Sequence, residues 1–174
     1  MNWKSLVSMA LLCIGIVGCA NPSVVRVDKQ SMTAAHISRA YVPRFEGDPN
    51  YVEESTDLFV AELEGQTSVQ IEQGSVLRTE STDVLAGGNL APTDIAIAAA
   101  KQAGAQIVIM GKVTSYQSGA TLNGFSTVRV IDVATGKVLA SFHRPSGLLI
   151  GNSQHQAVMA AVKRTADDVA GVLR

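Results

Sequence analysis

Gly111-Lys112 is the pair in this chain that could handle a phosphate. A phosphate-cradling loop needs a glycine five residues before its second glycine, so that backbone N–H groups can close on the anion. It also needs Ser or Thr after the lysine to reach a metal ion. Gln106 holds the first position and Val113 the second, which removes nucleotide binding by that route. His36, His143 and His155 could bind zinc or carry protons, but none has a partner at the short spacing of metal ligands. They read as surface or hairpin histidines. No serine sits in a Gly-x-Ser-x-Gly elbow, the strained turn that exposes a nucleophile. Asp167-Asp168 and Glu53-Glu54 are adjacent carboxylates, each read as a solvated helix face. The sequence implies no enzyme activity, no cofactor and no metal centre.

Cys19 is the residue whose surroundings point to a definite reaction. Lys4 gives a positive start, and residues 6–17 form a mostly apolar run. That run is short for a transmembrane helix, which needs about 20 apolar residues, and suits the hydrophobic region of a secretory signal. It ends in Ile16-Val17-Gly18-Cys19. An aliphatic residue three before the cysteine, small residues near the cut, and the cysteine itself make the pattern of the bacterial lipobox. Small residues let the backbone enter a peptidase cleft, and the thiol accepts diacylglycerol. Ile16 and Val17 stand where Leu and a small residue are more usual. The expectation is a signal peptide over residues 1–18 and a mature chain anchored by diacylglycerol and palmitate on Cys19. Ala20, where inner-membrane retention usually uses Asp, directs the lipoprotein to the outer membrane, on its periplasmic face. More than one buried acyl chain makes such anchoring stable.

Cys13 leaves with the signal and Cys19 is acylated, so no internal disulfide is expected in the mature chain. The 174 residues carry 14 Lys and Arg against 15 Asp and Glu, a net charge of −1. With aromatics at 5%, this near-neutral balance lacks the basic, aromatic patch of a nucleic-acid binder. A hydrophobic fraction of 47% can supply one ordinary core.

Residues 19–36 read as a lipidated tether, with Val24, Val25 and Val27 as a short edge strand within it. Extended, about 16 residues reach roughly 55 Å at about 3.5 Å each. The folded domain is expected over 37–174. A first strand covers 37–45, with Pro43 near its end. A helix over 48–64 presents Val52, Thr56, Phe59 and Leu63 on one face, with Glu53, Glu54 and Asp57 early, where they favour the helix dipole. Val69 and Ile71 alternate with polar residues as a half-buried strand. Residues 74–91 are ambiguous, and Gly87-Gly88-Asn89 marks a flexible loop.

Pro92-Thr93-Asp94 opens a second helix over 95–103, which Gly104 closes. Ile107-Val108-Ile109-Met110 is continuously apolar, as in a strand buried on both faces, and continues to about 116. A further strand covers 125–133. A turn at Ala134-Thr135-Gly136-Lys137 returns the chain through 138–143. A loop over 145–152 leads to a last helix. Ser153 and Gln156 form its capping box, and Lys163/Asp167 and Arg164/Asp168 are i,i+4 pairs on its wet face. The order β-α-β-α-β-β-β-α indicates an α/β, single-domain sandwich with a mixed sheet packed by helices.

Two segments carry a family resemblance. Gly104-Ala105-Gln106-Ile107-Val108-Ile109-Met110-Gly111-Lys112-Val113, followed by Val128-Arg129-Val130-Ile131-Asp132-Val133-Ala134-Thr135-Gly136-Lys137-Val138, resembles a superfamily of bacterial envelope lipoproteins. Its members include the curli secretion lipoprotein CsgG, the penicillin-binding-protein activator LpoB and the TolB amino-terminal domain. Gly104 suits a left-handed helix stop, Gly136 a tight turn of positive φ, and Asp132 a tie for the hairpin loop; Ala105, Gly111 and Thr135 complete the family-like motif. The resemblance implies domains that self-associate or dock on envelope machines. The long amphipathic hairpins of a CsgG-type channel are not evident, nor is the long linker of LpoB-like activators.

The first expectation is therefore an outer-membrane-anchored scaffold or assembly factor for an envelope machine, serving secretion or a surface appendage. Its partners would be envelope proteins and further copies of itself, with no nucleic acid. The second is an LpoB-like activator of a peptidoglycan synthase, a penicillin-binding protein. The third is a periplasmic ligand binder or hydrolase. With Trp3 in the signal, the mature chain has no tryptophan, so interface anchors must come from Tyr, Phe, Arg or aliphatic residues. Tyr41, Arg44, Phe45 and Tyr116 are the candidate partner contacts; the competing reading is that they cap the core.

Overall fold

The computed structural model describes residues 23–34, 36–74, 92–118, 121–147 and 153–174. Its elements run β1 Val24–Val27, α1 Lys29–Ala34, β2 Arg39–Val42, β3 Glu46–Gly47, α2 Val52–Gln66, β4 Gln70–Gln73, α3 Pro92–Gln102, β5 Ile107–Ser118, β6 Thr121–Asp132, β7 Val138–Pro145 and α4 Gln154–Leu173. One mixed sheet has the order β1-β7-β6-β5-β2-β4, with β3 also on β5. β2 runs parallel to β4 and β5, while β5-β6-β7-β1 is an antiparallel run. The α/β single-domain mixed sheet expected from the sequence is the architecture observed.

Periodicity builds the main core. On α2, Val52, Thr56, Phe59, Val60 and Leu63 are buried, and on α4 Val158, Ala161, Val162, Thr165, Val169 and Ala170. These faces close over Ala40, Val42, Ile107, Ile109, Val128, Val130 and Phe142 on one side of the sheet. Each large apolar side chain so buried contributes on the order of 1.5–3 kcal/mol. A smaller core lies on the other side, where α3 lays Ala96 and Ala100 on Val108, Met110, Ile131 and Val133. Small side chains let α3 approach closely. With both sides covered, residues 107–110 are all buried, as their unbroken apolar run requires.

Several boundaries differ from the sequence reading. The first strand ends at Val42, before Pro43, and the chain turns so that Phe45 enters the main core. α2 begins at Val52 rather than 48, because Asp48 forms a turn instead. Its carbonyl accepts from the N–H groups of Tyr51 and Val52, while its carboxylate accepts from Asn50 and from the Ser115 hydroxyl. Side-chain bonding of this kind competes with helix. β6 starts at Thr121, four residues early, and β7 continues to Pro145. The edge strand expected within the tether forms as β1, paired along β7, but the segment also carries α1, whose Met32 joins the main core. The segment 74–91 with its expected glycine loop lies outside the described residues from 75 onward, as do the lipobox Ile16, Val17, Gly18 and Cys19 itself.

Candidate partner-binding surface

The local motifs form as their residue types demand. Gly104 has φ +69°. Its N–H bonds the carbonyl of Lys101, and Ala105 N–H bonds that of Ala100, the paired stop that a left-handed residue permits. Gly136 has φ +70° in the β6–β7 turn, where the Asp132 carboxylate accepts from the backbone N–H and hydroxyl of Thr135. Gly111 lies under the ring of Phe45; a Cβ there would stand 2.3 Å from a ring carbon. Ser153 and Gln156 complete both halves of the capping box.

The four candidate contacts separate. Phe45 is buried and packs on Phe59 with ring centroids 5.1 Å apart. Tyr41 is buried beside α3, its hydroxyl so close to Gly74 that a Cβ on that glycine would overlap it; burial foremost, then Glu72, pushes its phenol up from the ordinary value. These two belong to the interior because neighbouring glycines open room for their rings. Arg44 is half-buried and pairs with Glu53 at 3.3 Å. Tyr116 is 57% exposed.

Tyr116 lies on the part of the sheet that α3 leaves bare. Antiparallel register places Lys112 beside Thr127, Thr114 beside Phe125 and Tyr116 beside Asn123. It continues with Thr127 beside His143 and Arg129 beside Ser141, then Val24 beside His143 and Arg26 beside Ser141. Arg26, Lys112 and Arg129 are exposed there and make no ion pair among the described residues. The one acid in these four strands, Asp132, is spent on its turn. His143 stacks on Phe125 at 5.6 Å and shares a hydrogen bond with Thr127. The three cations come from three different strands, and only the register assembles them on one face.

Arg26 and Arg129 line a groove of about 520 Å³ together with Val24, Val138 and Asp28. Val24 and Val138 are 43% and 49% exposed. A second cleft, of about 610 Å³, opens at the far end of the sheet between Lys101, Gln106, Thr135 and Lys137. The helical side of the molecule has the opposite character. α2 carries Glu53, Glu54, Asp57, Glu62 and Glu64 with no Lys or Arg. A groove of about 620 Å³ there is lined by Glu53, Glu54 and Asp57 over Leu58 and Met159.

Across the helices, charges pair between elements rather than along α4 as the i,i+4 reading expected. Lys163 reaches Glu62 on α2 at 2.6 Å, and that carboxylate holds its ammonium above the ordinary range. Asp168 takes two hydrogen bonds from Arg144 of β7, which raises the guanidinium likewise. Asp167 accepts from Gln66, and Arg164 donates to the Pro145 carbonyl. The cause is packing: α2 and β7 bring Glu62, Gln66 and Arg144 within hydrogen-bond reach of the charged side chains of α4, while Asp167 acts on Lys163 through its charge alone. His155 meets Glu54 at 2.6 Å, so Glu53 and Glu54 are partnered too. His36, His143 and His155 are not brought together. No group of metal-ligating side chains occurs among the described residues, and no described helix is long and apolar enough to cross a membrane.

No protein-family model matches this chain, and no curated protein matches it. Solved structures do. A point variant of the PelC dodecamer from Paraburkholderia phytofirmans is 13% identical over 87% of this chain and 98% of that one, with a TM-score of 0.58. A second PelC dodecamer structure gives 11%, 83%, 95% and 0.55. Lipoprotein GNA1162 from Neisseria meningitidis is 18% identical over 79% and 99% of the two chains at a TM-score of 0.45. The LpoB C-terminal domain from Salmonella enterica is 17% identical over 67% and 90% at 0.42. The chain thus shares its fold with PelC. Its resemblance to CsgG and to the TolB amino-terminal domain rests on the two motif segments alone.

Proposed function

We propose that this chain is an outer-membrane lipoprotein, acylated at Cys19, whose α/β domain binds envelope proteins through the bare sheet face and serves as a scaffold or assembly factor. The observation that carries the reading is that face: Arg26, Lys112 and Arg129, without an ion pair among the described residues, beside exposed Val24, Val138 and Tyr116. A patch mixing unneutralised cations with apolar side chains is suited to a protein partner. PelC, which shares the fold, is a dodecamer, and this agrees with a role in assembly.

Reach separates this reading from synthase activation. With β1 built into the sheet, only residues 20–23 separate Cys19 from Val24, at most roughly 18 Å at about 3.5 Å per residue. The domain then works close to the membrane that holds its lipid. In-cell chemical cross-linking of the native lipoprotein, with partners identified by mass spectrometry, tests the reading. Links to itself or to outer-membrane assembly proteins are expected. A dominant link to a penicillin-binding protein would replace the scaffold with the activator. A Cys19→Ser variant is expected to leave the membrane fraction; retention there would remove the anchor.

A further inference from the structure

The two sides of this molecule carry complementary grooves. On the bare sheet face, Arg26 and Arg129 stand over Val24 and Val138 in about 520 Å³. On the outer side of α2, Glu53, Glu54 and Asp57 stand around Leu58 and Met159 in about 620 Å³. The first groove also holds Asp28, whose carboxylate accepts from the backbone N–H and hydroxyl of Ser31, so its two arginines leave it net positive; the second is lined by carboxylates. The volumes are similar, and the sheet and its main core lie between them. Asp57 is bonded by the neutral Gln73 amide alone, and Glu64 is exposed with no cation beside it among the described residues, so α2 keeps negative charge after its ion pairs are formed.

We propose that the sheet-face groove is occupied by α2 of a second copy of this chain, with Arg26 and Arg129 of one copy against Glu53, Glu54 and Asp57 of the next. The contact joins two different surfaces, so it is head-to-tail. A pair formed in this way leaves one groove unused on each copy, acidic on one and basic on the other, and repetition closes into a ring or continues as a stack. Charge complementarity fixes the register and speeds encounter, and the apolar floors supply the water-free contact. This proposal rests on the reading of the bare face as a docking surface.

The test is sedimentation velocity of the full lipidated chain in detergent, with Arg129→Glu, Asp57→Lys and their equimolar mixture. Self-association of the unaltered chain is expected, weakened by added salt. Each reversal sets like charges together and is expected to weaken it roughly tenfold or more. The mixture is expected to restore it, because each variant then meets the sign it needs; restoration also shows that both variants are folded. An unaltered chain that stays monomeric, or reversals without effect, would overturn the proposal. A photo-cross-linker at position 129 in cells separates the two levels. Adducts to α2 of another copy support the proposal. Adducts to a different protein, or to lipid, overturn it, the former leaving the docking surface in place. Absence of any adduct removes both.

Discussion

The ring of Phe45 occupies the space that a side chain on Gly111 would need, with three ring carbons within 2.5 Å of the Cβ position. A strand residue without a side chain is thereby explained by an aromatic from the preceding crossover. Gly111→Ala must push that ring off Phe59, and a loss of about 1–3 kcal/mol is expected, read as a lower urea midpoint. Gly124→Ala should cost more. Its Cβ would meet the backbone of Ala157 and Val158 at 2.4 Å, and α4 cannot swing aside as a ring can.

Asp48 gives a pH signature. The Ser115 hydroxyl at 2.7 Å, and then the Asn50 N–H, hold its carboxyl below the ordinary carboxylate value. A folded pKa lower than the unfolded one contributes stability that is complete above the unfolded value and lost as pH falls through the folded one. Asp48→Asn should therefore be less stable than the unaltered chain at pH 7, and the gap should close on acidification below about pH 4. Denaturant midpoints at pH 7, 5 and 3 decide this; a gap that stays constant would refute the assignment.

Ser126 is fully buried on β6, and its hydroxyl has no hydrogen-bond partner among the described residues. An unpaired buried hydroxyl costs about 1–3 kcal/mol, so Ser126→Ala is expected to be neutral or stabilising, with an unchanged or higher melting temperature. Ser55 on α2 is in the same situation and should respond in the same direction.

The Arg144–Asp168 contact joins β7 to α4 through two hydrogen bonds, with both side chains about a quarter exposed. Asp168→Ala is expected to cost about 1–3 kcal/mol. Arg144→Lys should recover little of the native strength, since an ammonium cannot reproduce the planar two-point contact. A double-mutant cycle with coupling near zero would show that the pair is ornamental to stability.

What could be read from the sequence was what lies close along the chain. The Ser153–Gln156 cap, the Gly104 stop and the Asp132 tie of the hairpin loop each involve residues within a few positions, and all three form; that Thr135 is the partner of Asp132 is seen only in the structure. What could not be read depends on distant neighbours. Asp168 prefers Arg144 over Arg164 because β7 passes beneath α4, and no local pattern records that. For Tyr41 and Phe45 the sequence offers both partner contact and a core cap and favours the latter, but the glycines that admit them, Gly74 and Gly111, lie far down the chain and do not announce it. Arg26, Lys112 and Arg129 come from three strands, and only their register sets them on one face. The valines at 24, 25 and 27 announce the edge strand β1, but nothing local says that it pairs with β7 or that Met32 of α1 enters the main core.

The placement of β1 has a mechanical consequence. With Cys19 acylated as proposed, any force drawing the domain from the bilayer enters the fold at Val24, the end of a strand bonded to β7 over four residue pairs. Tension along β1 loads those hydrogen bonds together, in shear, instead of peeling them one at a time. The anchor then acts as a rigid mount: it restricts tilt as well as distance, and a pull on the assembled partner is borne by the sheet.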